Sequence, residues 1–194
     1  YIDYADTNFL EMDRSGRYMR PIKAMPNGRL FDPNFPRTIV LHGGMGTGKS
    51  TVTSDYLDRV KKDVRETLGR EPRVISITFR QMLAHNNARV FEMELYSDPS
   101  LPSCLFGVDN LAIQLDSVSR IVKPPDLENN ESDYTMQNYD VLILDESESI
   151  LAHLSSETMK VKRDITFRLL MALTRRVNTV ICGDADTGRR TRYF

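Results

Sequence analysis

The sequence contains little cysteine: only Cys104 and Cys182 occur, each beside apolar neighbours and neither in a C-x-x-C pair. That speaks against a disulfide framework and predicts two reduced core cysteines in a reducing, intracellular compartment. No apolar run approaches the roughly 20 residues of a membrane span, so no membrane partner is expected. The opening Tyr1-Ile2-Asp3-Tyr4 is neither a signal peptide nor a transit peptide. Charge of one sign is lacking too. The formal net charge is −1, so nothing global announces nucleic acid, although a net charge averages over opposite faces and leaves room for a local basic surface. There is no internal repeat. There is also no initiating Met, and the chain stops at Tyr193-Phe194 just after a strand and loop, which suggests a piece of something longer.

What is present is an ordinary balance of 40% hydrophobic and 27% charged residues over 194 positions, enough for one α/β domain with a real core. Residues 1–37 are polar, with Pro21, Pro26, Pro33 and Pro36 and little periodicity. They predict an extended lead-in, and residues 38–194 the folded domain. Apolar, β-branched runs then alternate with helical stretches. Strands are expected at 38–42, 73–78, 110–115, 139–144 and 178–182. Helices are expected over about 49–68, 79–95 and 147–176, and a polar surface excursion over 123–137. This alternation predicts a parallel sheet with helices on both faces, and right-handed crossovers bring the C-terminal ends of the strands to one edge.

The strongest motif stands between the first strand and the first helix. Gly43-Gly44-Met45-Gly46-Thr47-Gly48-Lys49-Ser50 fits G-x-x-x-x-G-K-[ST], with Thr51 following. Glycines allow positive φ, so that backbone N–H groups can turn inward around phosphate oxygens, and the helix that follows points its positive end at the same anion. Lys49 would reach the β- and γ-phosphates and Ser50 would ligate Mg²⁺. The plain alternative is a glycine-rich turn with an incidental lysine.

The second motif is Leu144-Asp145-Glu146-Ser147-Glu148, two carboxylates at the tip of an apolar strand. Asp145 would hold Mg²⁺ and Glu146 would polarise an attacking water. The alternative is a solvated acidic helix start.

Three further patches follow strand ends. They are Thr78-Phe79-Arg80-Gln81-Met82-Leu83, Gln114-Leu115-Asp116-Ser117-Val118-Ser119-Arg120-Ile121, and Gly183-Asp184-Ala185-Asp186. Arg80, Ser117 and Arg120 could hold successive phosphates of one nucleic-acid strand. Equally, the arginines could be salt-bridged surface residues and Ser117 a helix cap. Asp184 and Asp186 could simply form an Asp- and Gly-rich turn. His42 is expected to be packed, and Gly188-Arg189-Arg190-Thr191-Arg192 a solvated tail.

Taken with the phosphate loop and the acidic box, the three patches resemble a superfamily 2 helicase. More closely, they resemble the herpesvirus-type replication origin-binding helicases and their relatives in large DNA viruses. Val118 stands where that family's Gln-x-x-Ser-Leu-x-Arg segment has Leu. The resemblance, over about 38–190, implies a RecA-like P-loop NTPase domain, the first lobe of an ATP-dependent DNA helicase. It implies ATP with Mg²⁺ as the cofactor pair; there is no upstream glutamine motif, so ATP over GTP rests on the resemblance alone. It also implies DNA, as a single strand or a replication origin, held by Arg80, Ser117 and Arg120, with Asp184 and Asp186 coupling the nucleotide and DNA surfaces. A second RecA-like domain would follow and bring an arginine finger, which can be worth about 10³–10⁵ in rate. Without it the chain is expected to bind nucleotide, hydrolyse it slowly and not unwind DNA. Taken alone, the residues leave open a nucleotide switch or scaffold acting on a protein partner. They also leave open a viral packaging motor, which would give no reason for the segment from Gln114 to Ile121. They do not separate a nuclear from a viral replication site.

Overall fold

The computed structural model describes residues 7–11 (backbone only), 22, 24–123, 135–185 and 191. In chain order its main elements are β1 (Thr7–Glu11), β2 (Arg37–His42), α1 (Lys49–Leu68), β3 (Val74–Thr78), α2 (Gln81–Val90), β4 (Glu94–Leu95), β5 (Asn110–Gln114), a 3₁₀ segment (Leu115–Ile121), β6 (Val141–Asp145), α3 (Ser147–His153), a 3₁₀ turn (Glu157–Met159), α4 (Arg163–Arg176) and β7 (Thr179–Asp184).

The seven strands form one sheet in the order β1-β2-β7-β6-β3-β5-β4, and every pairing is parallel. Parallel strands must be covered on both faces, and the apolar runs allow it. β3 and β7 are buried at every position. Successive side chains point to opposite faces, and the core divides accordingly. Ile39, Leu41, Val141, Ile143 and Ile181 pack with Val52, Tyr56, Leu57, Val60 and Val64 of α1. Val40, Leu142, Leu144, Val180 and Cys182 pack with Ile150 of α3 and Leu169, Leu170 and Leu173 of α4. The fold is a helix–sheet–helix sandwich, the parallel α/β class that the alternation implies and, as the family resemblance implies, RecA-like. Among the described residues no helix is long and apolar enough to cross a membrane.

Several boundaries differ from the sequence expectation. The helix expected over 79–95 runs only from Gln81 to Val90. Glu92 turns left-handed at φ 54°, and Glu94–Leu95 then pairs with β5. The helical stretch expected over 147–176 divides into α3, the 3₁₀ turn and α4. Ser155-Ser156-Glu157-Thr158 interrupts it, with Ser156 Oγ bonded to Thr158 Oγ1 at 2.8 Å across the turn. The Arg163 guanidinium then takes up the carbonyls of Leu154 and Ser156 at 2.6 and 3.1 Å.

Ahead of β2, Thr7–Glu11 adds a strand at the sheet edge. Leu30 and Phe31 are buried against α1, where Asp63 accepts both of their backbone N–H groups at 2.6 and 3.1 Å. The excursion after the 3₁₀ segment is closed at its base by an antiparallel Val122–Met136 bridge; residues 124–134 lie outside the described residues. Both cysteines are free: Cys182 is buried and Cys104 half-buried. Burial pushes the Cys182 thiol up to about 12.

Candidate active site

The loop between β2 and α1 is shaped by its glycines. Gly46 and Gly48 sit at φ 74° and 85°, a left-handed region that costs side-chain-bearing residues about 1–2 kcal/mol. Gly48 starts α1, with no side-chain cap and no acidic residue in the first turn. The unsatisfied N–H groups and positive end of a 20-residue helix are therefore left without a competing carboxylate. Thr47 Oγ1 donates to Gly44 O at 2.8 Å and braces the loop. Lys49 Nζ donates to Gly44 O at 2.9 Å and also to Gly43 O, so the ammonium lies along the loop's inner carbonyls. Ser50, Thr51 and Met45 are exposed.

Strand order decides what faces this loop. β7 lies between β2 and β6, so its last residue, Asp184, stands between the loop and the acidic box. The Asp184 carbonyl accepts the Gly43 N–H at 3.1 Å. Its carboxylate accepts the Glu148 N–H in the first turn of α3 at 2.7 Å. Asp184 thus ties the loop to the helix that follows the acidic box, and caps α3 in place of Glu146, which makes no side-chain cap bond. The Glu148 carboxylate accepts the Thr191 N–H at 2.7 Å, and Ser147 Oγ meets Thr191 Oγ1 at 2.9 Å. Asp186 and Arg189, Arg190 and Arg192 lie outside the described residues.

Asp145 ends β6 opposite Gly183 of β7. A Cβ at Gly183 would lie 3.6 Å from Asp145 Oδ1, so glycine keeps the flank of this carboxylate open. Burial raises the Asp145 carboxyl above the usual range and Asp184 adds to it; the Asn87 amide, the Lys49 ammonium and the Glu146 N–H oppose the shift. The same Asn87 amide donates to Ser76 Oγ at 3.0 Å. Glu146 is also raised, by burial first and then by Asp145, with Asp184 adding and Arg80 and Lys49 opposing. Its backbone is left-handed, φ 58° and ψ 55°, a conformation that for a non-glycine residue is held by its surroundings. Glu146 therefore lies within electrostatic reach of Asp145, Arg80, Asp184 and Lys49, and Asp145 within reach of Lys49 and Asp184. Ser50 opens onto the same edge, one position past Lys49.

No group of three or more His, Cys, Asp or Glu side chains among the described residues is arranged to hold a metal unaided. Mg²⁺ takes one or two protein oxygen ligands and completes its shell with phosphates and water. One hydroxyl, Ser50, and one partly desolvated carboxylate, Asp145, are the donors to hand.

The other two patches diverge. Arg80 is exposed at the end of β3, its guanidinium carbon 4.8 Å from the centroid of the Phe79 ring. Ser117 is half-exposed on the 3₁₀ segment after β5. Arg120, on that same segment, is turned into the fold. Its Nε, Nη1 and Nη2 donate to the carbonyls of Ser103, Tyr96 and Pro102 at 2.8, 2.7 and 3.2 Å. All three nitrogens are engaged by the loop after β4, so Arg120 anchors that loop instead of pairing with a surface carboxylate.

Sequence reasoning did not anticipate Asn87 beside Asp145, nor the network around Gln114, Asp116 and His153. A polar Asn in the interior of α2 was the available signal for the first. The second joins residues 37 apart and left no local pattern.

The chain is similar to several known proteins. Residues 31–191 match the profile of a family described as origin of replication binding protein. A mimivirus protein carrying the provisional name of a helicase is 30% identical over 168 residues, covering 83% of this chain and 14% of that protein. A second mimivirus protein, provisionally named a replication origin-binding protein, is 28% identical over 170 residues, covering 81% and 19%. The replication origin-binding protein of varicella-zoster virus is 28% identical over 161 residues, covering 81% and 18%. The chain thus spans less than a fifth of each of these relatives.

Proposed function

The chain belongs to the origin-of-replication binding protein family, and from that premise we propose that it is the ATP-binding motor domain of a replicative DNA helicase. The observation that carries the reading is the strand order, which sets the glycine loop and the uncapped start of α1 beside Asp184 of β7 and, one strand further, Asp145 of β6 at the same sheet edge.

Lys49 would exchange the neutral carbonyls of Gly43 and Gly44 for the β- and γ-phosphoryl oxygens of ATP, because a full negative charge attracts the ammonium more strongly than a carbonyl dipole does. Backbone N–H groups from Gly44 to Thr51 cradle the phosphates. Ser50 and Asp145 would hold Mg²⁺, which would supply charge neutralisation to the phosphoryl groups. Glu146 orients the attacking water and takes its proton; a raised pKa makes it a stronger base than an ordinary glutamate. Asp184 carries the consequences between the loop and α3 through its two bonds. Arg80 and Ser117 hold a DNA strand at the tips of β3 and β5, and Arg120 keeps the flanking loop in place. A second RecA-like lobe supplies the arginine finger.

The names of the mimivirus and varicella-zoster relatives, helicase and origin-binding protein, support DNA as the track. The test is ATPase turnover of the full-length protein with and without single-stranded DNA. Wild type should be stimulated by DNA and Lys49→Ala should lose turnover. Unchanged turnover in Lys49→Ala would overturn the site, and turnover indifferent to DNA would favour a nucleotide switch acting on a protein partner.

A further inference from the structure

His153 terminates α3, the short helix that begins immediately after Glu146. Its Nε2 lies 3.1 Å from Asp116 Oδ1. A carboxylate offers no proton, so Nε2 is the donor; Nδ1, 3.4 Å from Ser156 Oγ, is left to accept from that hydroxyl. Asp116 immediately precedes Ser117 on the 3₁₀ segment after β5. The other Asp116 oxygen takes the Gln114 amide at 3.4 Å, and the same amide nitrogen lies 3.2 Å from the carbonyl of Phe79. Gln114 Oε1 accepts from the Tyr96 hydroxyl at 2.9 Å. The His153 ring stands 6.3 Å from the Phe79 ring, which in turn carries the Arg80 guanidinium on its face.

The tips of β3 and β5 and the far end of α3 are thus laced through two side chains, His153 and Gln114. α3 is two turns long, with Asp184 capping its start and Asp116 bonded at its end. A displacement of Glu146 or Asp184 with nucleotide state tilts a rigid element whose other end is bonded next to Ser117.

We propose that the Asp116–His153 hydrogen bond is the positioning link through which α3 passes nucleotide state to the DNA-facing strand ends, so that His153 governs stimulation of turnover by DNA without contacting nucleotide or DNA. The proposal rests on the motor reading above. His153→Phe keeps an aromatic ring beside Phe79 and removes the donor; His153→Gln keeps an N–H donor of similar reach.

The experiment measures ATPase turnover of the full-length protein, basal and saturated with single-stranded DNA, together with DNA affinity. His153→Phe is expected to keep basal turnover and DNA affinity while the DNA-stimulated increment falls about fivefold or more, the size of a typical coupling between two sites. His153→Gln should recover most of that increment, and Asp116→Leu should reproduce the loss, with the Asp116→Leu/His153→Phe double variant no worse than either alone. A His153→Phe protein stimulated like wild type overturns the link and leaves the motor reading intact. Parallel loss of basal turnover or DNA affinity also overturns it, since that is what a merely structural role would produce. Wild-type protein that ignores DNA sinks the motor reading and the link together.

Discussion

Replacing Glu146 separates what this residue costs the fold from what it does for turnover. The residue sits at φ 58° and ψ 55°, where a side chain costs about 1–2 kcal/mol. Glycine pays none of that but loses about 0.5–1 kcal/mol through the greater freedom of its unfolded chain. Glycine is also tolerated at the N-cap position. Glu146→Gly should therefore be more stable than wild type by roughly 0.5–1 kcal/mol, an upward shift of about 1–4 °C in Tm for a chain of this size. Glu146→Gln keeps the strained backbone and removes only the charge. Burial, Asp145 and Asp184 raise the Glu146 carboxyl in the folded state, and the sign of the pH effect follows from that. Below the ordinary glutamate range both folded and unfolded chains are protonated, and Gln gains nothing. As pH rises through the raised folded value, the native state bears an unfavourable carboxylate and the margin of Gln over Glu opens. The margin is small, because the side chain is only half-buried and solvent still screens it. The assay is thermal unfolding of this chain at acid and neutral pH, beside DNA-stimulated ATPase of the full-length protein. Both variants should lose hydrolysis while gaining stability at neutral pH. If both were instead destabilised by more than about 1 kcal/mol, the carboxylate would be holding the fold together and the argument for stored functional strain would fail.

Arg120→Ala should lower stability by about 2–3 kcal/mol, since three carbonyls lose a charged donor, while the salt dependence of DNA binding stays as in wild type; denaturant midpoints and salt titrations check both. Arg80→Ala should do the reverse, leaving the unfolding midpoint nearly unchanged and flattening the single-strand salt slope by about 0.7. Asp184→Ala should cost about 1 kcal/mol by uncapping α3, and Asp184→Asn, which keeps an acceptor, should recover most of it in a denaturant titration.

The glycine loop and the acidic box could be placed directly because each is marked by local spacing between a strand and a helix. A loop that places Lys49 and Ser50 after four glycines, between a strand and a helix, carries its geometry with it. The five main strands were readable for a related reason. A strand buried on both faces has to be apolar at successive positions, and β3 and β7 are buried throughout. β1 was not readable: Thr7-Asn8-Phe9-Leu10-Glu11 has no such run, and pairs only because β2 offers it an edge. The fate of Arg120 was equally hidden, since its acceptors are backbone carbonyls 17 to 24 residues away, and a carbonyl has no side-chain identity to read.

The sequence alone settled the class of fold, the order of its alternating elements and the place of the glycine loop and the acidic box at strand ends, because each depends on periodicity or on neighbours within a few positions. Tertiary structure alone decided that β7 lies between β2 and β6, and hence that Asp184 bridges the loop and α3. It also decided which arginine stays outside, and that His153 meets Asp116. Those outcomes depend on strand order and on packing between distant segments, and the free energy that selects them belongs to pairs of residues no local pattern brings together.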